Sequence, residues 1–495
     1  MKNKLISIWE DTIKIKKQSK KKDIKNDNQN QNLNFDILIV GGGITGCQTA
    51  YFLKNSNYKI GIIDKGKIGM GITKNTTAKI SFLQQTIYQD LEKKLDQKKS
   101  KLYFDSQIEA SKLLTDIIDK EKISCHLEKV DSYLFAVEEK NIDKIKKEQK
   151  ILQNWQVACK EVKELPIKFP IKYGIMVKDT YVFHPLEYLQ SIKKILQKKI
   201  TFLEEEMVLK IERKKNRYLV KTTQREISCT YLVLSCHYPY FVFPNMFPIK
   251  NHIKREYVNA GKWNQKMNFT AINVDKALHS IRFFEDTIIY GSNEHLLMNQ
   301  IDYQKHYKKS RQDFNHYFKI DPTYTWMNQD IVTNDQLPLI GKLSAKYQNL
   351  FLATGYQAWG MTNATIASKI ISDLIQKKKN QYLNLFDPTR INPAMISGAL
   401  YNSILYGKIY LETYLQKNPS FYKKNVAVVP VKGNYYGVYI DENNQKHIVK
   451  HLCPHMKCHL IFNQEEKTWD CPCHGSRFTI DGDIIEGPAN YSIKI

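Results

Sequence analysis

Phe35-Asp-Ile-Leu-Ile-Val40, running into Gly41-Gly-Gly43-Ile-Thr-Gly46, decides the fold of the larger part of this chain. The first six residues form a short apolar run of the kind buried in a parallel sheet. The glycines permit a tight turn and close approach of backbone to a ligand. Cys47–Lys54 reads as a helix whose first amides face that turn, where an anion is favoured. A second apolar run, Lys59–Ile63, ends in Asp64, 18 residues beyond Gly46. A carboxylate at that place accepts a hydrogen bond from a ribose hydroxyl. A lone G-x-G-x-x-G says little. Set between strand, helix, strand and acid, it predicts a dinucleotide held by Gly41, Gly43, Gly46 and Asp64, either FAD or NAD.

Lys65-Gly-Lys-Ile-Gly69-Met-Gly71-Ile-Thr73-Lys-Asn-Thr76-Thr77-Ala78-Lys79-Ile-Ser81 follows. Read from its residues alone, it is a solvated turn or a set of amide and hydroxyl donors for an extended cofactor. It resembles the loop after the second strand in FAD-dependent oxidoreductases of the D-amino-acid oxidase/glycine oxidase superfamily. Thr230-Tyr-Leu-Val-Leu-Ser235-Cys-His237 looks like the strand and loop that close the FAD domain there. Thr333–Gly341 and Asn349–Thr362 resemble the family's C-terminal flavin-contacting stretch. The resemblance implies FAD, with contacts from Thr73, Thr76, Thr77, Met207, Val208, Ser235, Gly355, Gly360, Met361 and Thr362. It also implies a helix over Ile366–Ile375 with its positive end toward the flavin.

Near the C-terminus stand Cys453-Pro-His455-Met-Lys-Cys458 and Cys471-Pro-Cys473-His474-Gly-Ser476, a C-x-H-x15-C-x2-H pattern. Two thiolates and two imidazoles suit a [2Fe–2S] centre with two Cys on one iron and two His on the other. Structural zinc also takes Cys and His, but usually as C-x2-C or H-x3-5-H pairs. Here each loop supplies one Cys, one His and one extra Cys. The boxes resemble Rieske domains of the cytochrome bc type. That resemblance implies Cys453, His455, Cys471 and His474 as ligands, a Cys458–Cys473 disulfide, and a hydrogen bond from Ser476 to a cluster sulfur. Gly487-Pro-Ala489 resembles the proline loop that covers the cluster. Phe478 stands where high-potential members often carry Tyr. Without that donor the iron keeps more electron density, so redox titration is expected to give a midpoint in the lower part of the Rieske range. A value near the top would refute this.

The expected architecture is α/β plus β. A Rossmann-like FAD-binding domain of the GR2/DAO type carries an antiparallel substrate domain and precedes a small all-β Rieske domain. The expected boundaries are a basic, polar lead-in over 1–34; FAD domain over 35–250, with helical insertions; substrate sheet over 251–325; FAD domain again over 326–382; helical linker over 383–425; and Rieske domain over 426–495. Helices are expected over Tyr88–Lys122 and Lys140–Gln156. Strands are expected at Ala271–Val274, Ser280–Phe284, Thr287–Tyr290, Val426–Val431, Tyr435–Ile440 and His447–Lys450.

A chain of 495 residues with 42% hydrophobic content has room for two or three packed domains. It contains no run of 18 apolar residues, and its start lacks a long apolar core with a small-residue cleavage site. The cytoplasm is therefore the expected place. Cys47, Cys125, Cys159, Cys229 and Cys236 are scattered and read as reduced core thiols. The 75 basic and 50 acidic residues give a net charge of +25, read as lysines spread over solvated faces. Neither DNA nor RNA is the expected partner, although such a charge keeps RNA modification as a rival function. Leu5, Ile8, Trp9, Thr12 and Ile13 form a short apolar face, expected to pack on the body rather than touch lipid.

Catalytic residues are less legible. His184, His237, His295, Lys79 and Tyr356 lie near turns like those of the family, and Arg255 and Arg282 could clamp a carboxylate. The expected partners are a small amine or amino acid and a one-electron carrier, either protein or quinone. The expected reaction is oxidation of a C–N bond. Electrons would leave through an exposed edge of His455 or His474, with the reverse flow as the alternative.

Overall fold

A computed structural model describes residues 3–13, 33–239, 246–297, 301–415 and 425–495. Most of the basic lead-in lies outside them. Leu33–Val40 is the centre of the first sheet. It pairs in parallel with Ile60–Ile63 on one side and Glu226–Leu234 on the other, Ile37 facing both Ile60 and Tyr231. Thr201–Leu203 and Leu350–Thr354 extend this parallel core. Leu339–Lys342 closes one edge, and the hairpin Val208–Lys214/Arg217–Thr222 attaches to Glu226–Leu234. Ile37, Leu38 and Ile39 are completely buried, as a strand covered on both faces requires. Helices Ile44–Leu53 and Gly360–Ile375 pack against one another on the sheet.

The second sheet has nine strands and departs from the expected 251–325. Its order is Tyr324–Thr333, Asn251–Lys262, Thr287–Leu296, His279–Phe284, Phe269–Asn273, Glu128–Ala136, Tyr173–Val182, Lys79–Ile80, with Lys160–Val162 beside Tyr173–Val182. All neighbours are antiparallel except Phe269–Asn273 with Glu128–Ala136. Strands from both sides of the expected interval are recruited, because pairing partners lie far apart in sequence. The helix expected over Tyr88–Lys122 is two helices, Ile87–Lys94 and Gln97–Lys120. The break comes where Asp96 caps the second by accepting from the Lys99 amide.

The amphipathic start of the chain packs inward. Trp9 is fully buried, donates Nε1–H to the Thr76 carbonyl at 2.7 Å, and packs edge-on to His184. Among the described residues, no helix is long and apolar enough to cross a membrane.

The C-terminal region is all β: Val426–Val431, Asn434–Ile440 and Lys446–Lys450 form one sheet. Ile461–Asn463, Thr468–Asp470, Arg477–Thr479 and Ile484–Glu486 form another. Trp469 fills the space between them. A Cβ on Gly437 would come within 2.7 Å of its ring, so that strand approaches only because residue 437 has no side chain. The helix Pro393–Leu415 joins this small domain to the body.

Candidate functional site

A cavity of about 620 Å³ opens at the ends of the first sheet's strands and reaches both the second sheet and the C-terminal domain. Gly41, Gly43, Asp64, Thr73, Thr76, Met207, Val208, Ser235, Gly355, Gly360 and Met361 line it. Gly46, Thr77 and Thr362 stand behind that wall. The Thr77 carbonyl accepts from Arg282, and Thr362 is buried near Gln84. Gly41 has φ +108°, and a Cβ on it would meet the Ser235 carbonyl oxygen at 2.5 Å. A Cβ on Gly46 would lie 1.9 Å from the Gly41 oxygen. The chain is therefore pinched where helix Ile44–Leu53 begins. That helix has no side-chain cap at Gly43, leaving its first amides free for an anion. Asp64 accepts from the Gly42 amide at 2.6 Å and the Gly66 amide at 2.8 Å, which fixes its carboxylate at the cavity wall. Helix Gly360–Ile375 likewise starts uncapped at the cavity.

This cradle fits an extended dinucleotide: glycine pinch, free helix amides and an anchored carboxylate succeed one another along one cavity. Gly46→Ala is expected to yield folded protein stripped of its yellow chromophore. Retention of the flavin absorbance by the purified variant would contradict the pinch.

The two Cys/His boxes converge at the other end. Cys453 and Cys471 are free and 1% exposed, while Cys458 and Cys473 form a disulfide between the loops. The Cys458, Cys471 and Cys473 sulfurs lie within 4.8 Å of one another, but the disulfide removes two of them as ligands. Amides of His455 and Met456 and the Ser476 hydroxyl point at the Cys453 sulfur, and amides of Cys473 and His474 at the Cys471 sulfur. The rings of His455 and His474 stand 5.1 Å apart at 86°. All four of their ring nitrogens are buried without a hydrogen-bond partner. Buried imidazole nitrogens left unsatisfied are costly, and bonding to metal removes that cost. Two thiols sheltered by amides and two unpartnered imidazoles therefore fit an iron–sulfur centre. Ala489 of the proline loop donates its amide to Ser476 Oγ at 3.0 Å, which ties that loop to the boxes. Phe478 is fully buried opposite Trp469 and brings no hydroxyl.

The orientation of the boxes corrects one expectation. Of the two box histidines, His455 is half-buried and only His474 lacks an exposed edge. His474 is 2% exposed, and its ring packs 4.8 Å from Tyr406 of the connecting helix and 6.1 Å from Tyr238 of the body. His455 lies 6.4 Å from the same Tyr238. Tyr238 also lines the large cavity. No sequence motif marks this tyrosine, which directly follows His237.

The remaining candidates fall into two sets. His237 and Tyr356 line the cavity. His237 Nε2 lies 3.7 Å from Glu486, and burial pushes its pKa down to about 4. Tyr356 shares a hydrogen bond with Thr45 at 2.9 Å. The others are engaged elsewhere. His184 caps helix Pro185–Leu196, and His295 stacks on His306 and Tyr257. Lys79 donates to Ser280 Oγ at 2.7 Å, and burial lowers its pKa to about 7. Arg282 donates to the carbonyls of Ala78 and Phe183. Arg255 turns to the C-terminal domain, where Nη1 meets Asp470 Oδ2 at 2.7 Å with both side chains fully buried.

Comparison with known proteins agrees with this geometry. The family described as FAD dependent oxidoreductase (DAO) matches residues 36–374, and the Rieske [2Fe-2S] domain matches residues 413–495. The chain is 30% identical over 475 residues to YhfW of Bacillus subtilis (strain 168), which carries the name of a Rieske 2Fe-2S iron-sulfur protein. That alignment covers 93% of this chain and 92% of YhfW. Glycine oxidase from Geobacillus kaustophilus superposes with TM-score 0.61 at 12% identity, covering 72% of this chain and 99% of its own. L-proline dehydrogenase from P. horikoshii gives 0.58 at 16%, covering 73% and 98%. At such identities these two establish shared fold alone. Cradle, boxes and family matches together make the chain an FAD-dependent oxidoreductase of the DAO family with a C-terminal Rieske domain, its cofactors FAD and a [2Fe–2S] cluster.

Proposed function

We propose that the protein oxidises the C–N bond of an amine or amino acid and passes the electrons through its own Rieske centre to a one-electron acceptor. One observation carries this reading. Tyr238 is a wall of the flavin cavity and also packs on the rings of both box histidines. When bound, FAD takes two electrons at once as hydride, and a Rieske cluster takes them singly.

The chain's own residues divide the remaining tasks. Gly41, Gly43 and the amides at the start of Ile44–Leu53 hold the pyrophosphate, and Asp64 the ribose. Gly360 and Met361 bring a helix's positive end to the cavity. Cys453, His455, Cys471 and His474 hold the irons. Burial keeps His474 away from water and against Tyr238, so the electron route from the flavin enters the cluster on that side. The half-buried His455 faces the outside acceptor. The substrate amine reacts neutral, and the chain need only orient it.

Anaerobic titration with amines and amino acids tests the reading, with flavin bleaching and the Rieske EPR signal followed together. Bleaching is expected first, then the reduced-cluster signal. A bleached flavin beside a cluster that stays oxidised would refute it. Reduction of cluster and flavin by a reduced carrier, with no amine active, would favour the reverse flow.

A further inference from the structure

Among the described residues, the second sheet gives the cavity wall Trp326, Met327, Asn328 and Asp330, one carboxylate and no cation. Strand Tyr324–Thr333 runs antiparallel to Asn251–Lys262, with Trp326 opposite Val258, Asn328 opposite Glu256 and Asp330 opposite Lys254. Residues two apart share a face of a strand, so Glu256 stands on the face of Trp326, Asn328 and Asp330. Those three line the cavity. Asn328 Nδ2 donates to Asp330 Oδ2 at 2.9 Å, and the Ala358 amide donates to the same carboxylate. Asn328 is 6% exposed, yet its Oδ1 has no hydrogen-bond partner. The Glu256 carboxylate lies over Gly291, its Oε2 3.7 Å from where a Cβ there would stand.

Two lysines stand near Glu256, and neither forms an ion pair with it. Lys254 pairs with Glu294 at 2.7 Å, and Lys79 donates to Ser280. Among the described residues, no ion pair is formed by Glu256 or Asp330. The buried Glu256 carboxylate, the half-buried Asp330 carboxylate and an unpartnered amide oxygen thus form an acceptor-rich patch without a direct ion pair among the described residues. Desolvation makes such a patch costly and raises both carboxyl pKa values, Glu256 to about 7.

We infer that Asp330, Glu256 and Asn328 form a subsite for a second ammonium group, so that the substrate is a diamine or polyamine without a carboxylate. This assignment rests on the C–N oxidation proposed above and narrows its substrate. An ammonium offers three donors and one positive charge, which the three acceptors match. Above the raised carboxyl pKa values, the carboxylate of an amino acid would face like charge and an acceptor oxygen, and would be rejected. In the reaction the distal CH–NH2 becomes C=NH with loss of two electrons and two protons. Water then gives an aldehyde and ammonia, and the bound ammonium is unchanged. The electrons go to two equivalents of the one-electron acceptor.

Anaerobic calorimetry of the holoenzyme with 1,4-diaminobutane, butylamine and 4-aminobutanoate tests the assignment. The diamine is expected to bind at least roughly tenfold tighter than 4-aminobutanoate. Asp330→Asn and Glu256→Gln are each expected to weaken the diamine by roughly tenfold and to erase its advantage over 4-aminobutanoate. Melting temperatures report whether the variants fold, and if they do not, the three ligands on the unsubstituted protein decide. Equal or tighter binding of 4-aminobutanoate, no binding of the diamine, or indifference of folded variants overturns the assignment. If the diamine binds as expected but never bleaches the flavin, the C–N oxidation falls while the cation subsite stands.

Discussion

Arg255→Met is expected to cost about 3–5 kcal/mol of stability and to loosen the Rieske domain from the flavin-binding body, because it strands a buried charge. Arg255 and Asp470 are both 0% exposed and meet at 2.7 Å across the domain junction. Arg255 also donates to Gln329 Oε1 at 2.9 Å and the Tyr303 hydroxyl at 2.6 Å. Gln329 in turn donates to the Gly475 carbonyl and to Glu486, both of the Rieske domain. Around this centre Tyr307 donates to Glu466, and Arg311 pairs with Glu465 at 3.1 Å. Without the guanidinium, Asp470 keeps Thr468 Oγ1 at 2.8 Å and Arg477 at 3.4 Å, a poor exchange in a dry junction. Urea unfolding followed by cluster absorbance measures the loss, and a midpoint equal to the parent's would contradict it. Arg255→Met combined with Asp470→Leu removes both charges. It should recover most of the stability, as replacement of both members of a buried pair often does.

Cys471→Ser should have the largest effect on chemistry. Hydroxyl oxygen is a hard ligand and a poor substitute for thiolate on iron. The variant is expected to lose its iron and its reduced-cluster EPR signal while keeping FAD, since the cradle around Gly41 and Asp64 shares no residue with the boxes. Substrate should still bleach the flavin. Reduction of a one-electron acceptor should fall by more than about a hundredfold, exceeding the 10–100-fold typical of changes around a metal's ligands. Cys159→Ser, at a half-buried thiol apart from the boxes, serves as the control. Unchanged acceptor reduction in Cys471→Ser would separate the two redox centres.

Local patterns make both sites legible in the sequence. Strand, glycine turn, helix and acid follow one another within residues 35–64. The Cys/His boxes lie within 453–476, and their backbone constraints act over a few residues. The short strands Val426–Val431, Asn434–Ile440 and Lys446–Lys450 are legible for the same reason. Long-range relations are not. The second sheet joins Lys79–Ile80 to Tyr173–Val182 and Asn251–Lys262 to Tyr324–Thr333, pairings set by packing rather than by spacing. Arg255 reads as an arginine in a strand, but nothing nearby announces a partner 215 residues away. The inward orientation of His474 depends on Tyr238 and Tyr406, from two other parts of the chain. Asp330 looks in sequence like one polar residue among several. Its place beside Asn328 and on one strand face with Glu256 comes from long-range pairing of Tyr324–Thr333 with Asn251–Lys262.

The central claim is that flavin and cluster exchange electrons within one chain, across the junction at Tyr238. Anaerobic single-turnover mixing with substrate, freeze-quenched and read by EPR, tests it most directly. The rate of cluster reduction after flavin bleaching should be first order and should not change when protein concentration is varied tenfold. A rate that rises in proportion to protein concentration, or a cluster that never reduces, would contradict the claim.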